Sequence, residues 1–127
     1  MLYVKETAKN VARAVADLER SVAAHGFGLL HSYDFQQTLT AKGFPMDNEC
    51  RVLEICNPAQ ASAILQKDMA LNMALPCRVS VYQDAGKTKI GMITPTSILA
   101  LVSRSEDLRA QAAEVERIVR NIIDDAV

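Results

Sequence analysis

The chain is poor in the residues from which most recognisable active sites are built: it holds three cysteines, two histidines and five glycines in 127 residues. Three cysteines are too few, and odd in number, for a disulfide framework, which points to a reducing compartment and a cytoplasmic protein. There is no C-x-x-C and no close His/Cys cluster, so a structural zinc site is not expected. The glycines stand singly, leaving no phosphate-cradling loop, and no Ser/His/Asp arrangement or metal-hydrolase motif occurs. Aromatic residues are 5% of the chain and the net charge is -1. The first removes a stacking platform and the second a basic stripe, so no nucleic-acid partner is expected.

The N-terminal stretch "MLYVKETAKNVARAV" has no basic segment followed by an apolar core, unlike a secretory signal. The most apolar stretch, "SILALV" at 97–102, falls far short of the roughly 20 residues that span a bilayer. No membrane partner is expected. A hydrophobic fraction of 50% with 23% charge suits one soluble domain over residues 1–127, long enough to bury a core.

Periodicity supplies the elements. "LYVKE" at 2–6 alternates as a first strand, and Thr7 or Asn10 can cap a helix over 8–25. The stripe of that helix is Val11, Val15, Leu18 and Val22, and Gly26 stops it. A second strand, 27–35, places Phe27, Leu29, His31, Tyr33 and Phe35 on one face by strict alternation. Residues 36–49 read as a long loop, with room for a short irregular segment, of the kind that forms lids or binding loops. "CRVLEIC" at 50–56 is a strand ended by Asn57-Pro58, and Pro58 opens a short helix over 58–68. Strands at 77–83 and 87–93 flank a "DAG" hairpin loop. After "TPTS" come the short apolar helix "SILALVSR" and a longer one from Ser105, with a stripe of Leu108, Ala112, Val115, Ile118 or Val119, and Ile122. The order is that of an α+β domain with a mostly antiparallel sheet.

"HGFGLL" after the first helix, "RVLEICNP" at the end of the third strand and "LPCRVSVYQDAGKTKIGMITP" across the last hairpin, in that order, resemble the family catalogued as domain of unknown function 302. The Asn57-Pro58 and Leu75-Pro76 pairs are the clearest marks of the likeness. The resemblance implies a two-layer domain with about five antiparallel strands, helices on one face and a TATA-binding-protein-like order. It implies no established activity and names no cofactor. Many relatives carry other residues at the positions of Cys56 and Cys77, which assigns any thiol chemistry to a subgroup.

The candidate patch of chemistry is His31, Glu54, Cys56, Cys77 and Arg78. If the third and fourth strands are antiparallel neighbours, Cys56 and Cys77 fall at the same end of the sheet, where two thiols would hold a soft metal ion. The competing reading makes each cysteine a small buried hydrophobe. Arg78 beside Cys77 would lower a thiol pKa, and is otherwise a solvated strand residue. Glu54 lies either on the solvent side of the sheet or buried with a partner, and His31 is either its sheet neighbour or a base. Met46, Met69 and Met73 read as adaptable core filler or as the mobile lining of a pocket.

Three roles follow. A non-enzymatic homodimeric binding or sensing module, responsive to a small ligand, sulfur or a soft metal, leads, because helices cover one face of a two-layer sheet while strands 27–35 and 50–56 carry apolar side chains on both. A thiol-dependent enzyme with Cys56 or Cys77 as nucleophile and His31 or Glu54 as base is the alternative. An adaptor docking through its C-terminal helix is the third.

Overall fold

The computed structural model describes residues 1–127. Five strands form one sheet: β1 (Leu2–Thr7), β2 (Gly28–Asp34), β3 (Cys50–Cys56), β4 (Cys77–Asp84) and β5 (Lys87–Ile93). Their spatial order is β1-β5-β4-β3-β2 and every pair is antiparallel. The helices are α1 (Val11–Ala24), α2 (Phe35–Ala41), α3 (Pro58–Lys67), α4 (Pro95–Val102) and α5 (Glu106–Ala126), with a 3₁₀ segment at Met69–Ala74 after α3. This is the α+β, antiparallel architecture that the periodicity and the resemblance imply.

Local chemistry explains the helix starts. Asn10 caps α1 by accepting from the Arg13 amide at 2.8 Å, and Asn57 caps α3 by accepting from Gln60 at 3.2 Å, with Pro58 in the first turn. At the β4–β5 hairpin, Ala85 (φ 51°) and Gly86 (φ 78°) both take positive φ, as a two-residue turn that follows the strand twist requires.

One face of the sheet is covered. Leu18, Val22, Leu53, Ile55, Val79, Val81, Ile90, Val119 and Ile122 belong to one cluster that joins α1 and α5 to the strands. The apolar stripe of α5 is buried here, with Val119 fully inside and Ile118 at the margin. The adaptor reading of the C-terminal helix therefore has no surface. A second, smaller cluster of Leu71, Leu99, Leu108 and Ala112, with Ile64 against it, holds α3, the 3₁₀ segment, α4 and the start of α5 together. Glu116 fastens α4 to α5 by accepting from the amide and hydroxyl of Thr96, at 3.1 and 2.6 Å.

Four expectations are corrected. The 36–49 loop begins as a helix, α2, because Asp34 accepts from the Gln37 amide at 3.0 Å and starts a turn. Proline belongs to the first turn of α4, so that helix begins at Pro95, inside "TPTS". The single face assigned to Leu29, His31 and Tyr33 is broken by a register shift between Leu29 and His31. Such a bulge moves the following side chains to the other side of the sheet. Met69 and Met73 are exposed, at 66% and 83%, and fill no core.

Candidate functional site

The register defines the uncovered face. Leu53 and Ile55 face the helices, so Cys50, Val52, Glu54 and Cys56 alternate to the open side. Cross-strand partners share a face, which adds His31 and Tyr33 from β2, Arg78, Ser80 and Tyr82 from β4, Gly91 and Ile93 from β5, and Leu2 and Val4 from β1. One row across the sheet reads His31–Glu54–Arg78 and the next reads Tyr33–Val52–Ser80–Gly91–Val4. Gly91 and Ser80 leave the middle of that second row low, and the Val4 side chain leans over Gly91.

A cavity of about 670 Å³ runs from this face around the strand ends, into the gap between the two apolar clusters. Its walls are Leu2, Val4, Glu54, Cys56, Arg78, Ser80, Tyr82, Gly91 and Ile93 of the open face, the α3 and 3₁₀ residues Ile64, Leu71 and Met73, and Leu99, Ala112 and Val115 from α4 and α5. Of 27 lining residues 19 are hydrophobic, and Glu54 and Arg78 are the only charged ones. A site of this size and lining takes a mostly apolar small molecule oriented by a few polar groups.

The five candidate residues do not converge on one point. Glu54, Cys56, Cys77 and Arg78 line the cavity, whereas His31 lies outside it. The His31 ring packs edge-on to Tyr33, with centroids 4.4 Å apart, and the Tyr33 hydroxyl donates to Glu54 Oε1 at 2.8 Å. That bond raises the Tyr33 pKa, with smaller contributions from desolvation and the Glu54 charge, while the Arg78 charge opposes them. Glu54 is thus a half-buried carboxylate with a hydroxyl partner, on the open side of the sheet.

β3 and β4 are antiparallel, so the thiols do fall at one end of the sheet. Cys77 is opposite Ile55, however, and packs against the helix-covered core, whereas Cys56 is one residue further on, with the alternate parity. Burial pushes the Cys77 thiol up to about 11, and the Cys56 charge adds to the shift. A thiol held protonated in this way is a weak nucleophile. All three cysteines are free, and no group of three or more His, Cys, Asp or Glu side chains is placed to hold a metal ion.

What sequence reasoning missed is the apolar part of the site. Small residues at Ser80 and Gly91 on adjacent strands were the available signal for a depression in the sheet, and the 58–76 excursion for its wall. No helix is long and apolar enough to cross a membrane.

Residues 3–126 match the family described as "Domain of unknown function DUF302". An uncharacterized conserved DUF302 protein from Bacillus stearothermophilus, solved by crystallography, is 29% identical. Its fold superposes with a TM-score of 0.95, over 99% of this chain and 98% of that one. No curated protein matches.

Proposed function

The chain belongs to the DUF302 family, whose name assigns no activity, and from its own side chains we propose that it is a non-catalytic module that binds a small, mainly apolar molecule as a homodimer in the cytoplasm. The cavity of about 670 Å³, bounded by 19 hydrophobic residues, carries this reading. The open sheet face forms one of its walls.

A second copy on that face would roof the cavity. Leu2, Val4 and Ile93 are 67%, 38% and 55% exposed there, and apolar groups of this size on one flat face favour burial. At about 4.8 Å between strands and about 3.3 Å per residue, five strands present about 500 Å² per copy. The pair would then bury close to the roughly 1,000 Å² at which specific interfaces begin. The three free thiols support a reducing compartment. The raised pKa of Cys77, and the position of His31 outside the cavity, weigh against a thiol-dependent enzyme.

Titration with 1-anilinonaphthalene-8-sulfonate, an amphipathic anionic dye that fluoresces in apolar surroundings, together with sedimentation equilibrium, tests both halves. Saturable one-site enhancement that is lost in Ala61→Trp, a substitution that fills the cavity from α3, supports binding. A linear, non-saturating signal refutes it. A monomer at tens of micromolar refutes the dimer and leaves the cavity reading to the dye.

A further inference from the structure

The cavity lining holds one cation and one carboxylate, and they are differently committed. Glu54 and Arg78 are register partners on β3 and β4. Glu54 accepts from Tyr33 at 2.8 Å, while the Arg78 guanidinium, exposed at the mouth, enters no hydrogen bond or ion pair. Two residues along β4, Ser80 and its neighbour Gly91 form the low part of the open face, and beyond the strand ends lie the apolar walls from Ile64, Leu71 and Leu99.

Building on the small-molecule reading above, we infer that the occupant is an amphipathic monoanion, an aliphatic body with a single carboxylate head, and that Arg78 binds the head. The guanidinium presents a planar fork that matches a carboxylate with two parallel hydrogen bonds. The body lies along the Ser80–Gly91 depression and enters the gap between the two apolar clusters, where its burial supplies the driving force. Glu54 limits the head to one negative charge. A doubly charged phosphate placed on Arg78 would also lie against the Glu54 carboxylate, a like-charge contact that a single carboxylate meets less severely. Arg78 is therefore a specificity-determining residue, and the apolar walls set affinity without regard to the head.

The test compares decanoate, 1-decanol and decylamine, each by calorimetric titration into the intact protein below its aggregation concentration. Decanoate is expected to bind at least tenfold more tightly than 1-decanol, with decylamine weakest. Arg78→Gln removes that preference by weakening decanoate toward 1-decanol, while Arg78→Lys restores part of it. Because Arg78 is exposed and buries no core surface, both variants retain the wild-type circular dichroism spectrum. Equal binding of decanoate and 1-decanol overturns the monoanion inference while the apolar cavity stands. Tighter binding of decylamine overturns it too and assigns the head to Glu54. Failure of all three compounds to bind overturns the cavity reading itself.

Discussion

Glu54 and Arg78 face each other across β3 and β4, yet the carboxylate is held by the Tyr33 hydroxyl and no ion pair joins the two charges. The row is open because the β2 bulge turns His31 and Tyr33 toward Glu54. Without that register shift, parity would direct both rings into the helix-covered face.

Removing the carboxylate charge exposes this arrangement to direct measurement. In Glu54→Gln the hydroxyl no longer donates to an anion, so the Tyr33 pKa falls back toward the ordinary tyrosine value of 10.0. Ultraviolet titration of tyrosinate, with Tyr33→Phe as the subtraction reference, reads the change. An unaltered Tyr33 titration in Glu54→Gln would contradict the contact.

Cys77 makes stability fall in alkali. Its pKa is raised from 9.0 to about 11 in the folded protein. Below pH 9 both states keep the proton, and between 9 and 11 only the unfolded chain releases it. Folding stability then declines by roughly 1.4 kcal/mol per pH unit at most, and this contribution levels off above 11. Urea unfolding of the wild type and Cys77→Ala across pH 8–11 isolates it from the raised pKa values of Tyr3, Tyr33 and Lys89. The variant has the shallower decline.

At Gly91 the neighbouring strand β1 leaves no room for a side chain. A Cβ there would come within 2.8 Å of Val4 Cγ2 and 3.0 Å of the Tyr3 carbonyl oxygen. Gly91→Val forces the edge strand outward and costs about 1–3 kcal/mol, read as a lower urea midpoint. Pairing it with Val4→Ala recovers part of the loss by relieving the side-chain contact, but not the approach to the Tyr3 backbone.

Ile122 is fully buried in the main cluster, and its carbonyl accepts from Ser21 Oγ at 2.7 Å. Ile122→Ala leaves a cavity between α1, α5 and the sheet and costs about 2–5 kcal/mol in denaturant unfolding. Exposed Leu101 on α4, at 86%, serves as the comparison: Leu101→Ala shifts the midpoint little.

The strands, α1 and α5 were legible because each repeats its apolar residues with the period of its own backbone. Val11, Val15, Leu18 and Val22 mark a helix face, and Val79 and Val81 mark a strand face. The β2 face assignment failed because a bulge leaves no local trace in "GLLHSYD": one extra residue reverses parity, and only the partner strand shows where. The start of α2 is hidden because Asp34 is at once the last residue of β2 and the cap of the helix, and Phe35 continues the strand's alternation. Of the site, the neighbourhood of Glu54, Cys56, Cys77 and Arg78 followed from antiparallel pairing of β3 and β4. The opposed parity of the two thiols and the apolar gap did not, since both depend on the exact register and on how the 58–76 excursion folds back.

The two apolar clusters share α5, whose residues Ala112 and Val115 belong one to each. The molecule consequently has two levels of opening. The α3-to-α4 end, with few fully buried residues, can separate from the strand ends while the sheet and α1 stay closed. Amides of residues 59–74 therefore exchange with solvent deuterium by a partial opening, well ahead of those in β4, and a molecule seated in the gap ties the two rates together.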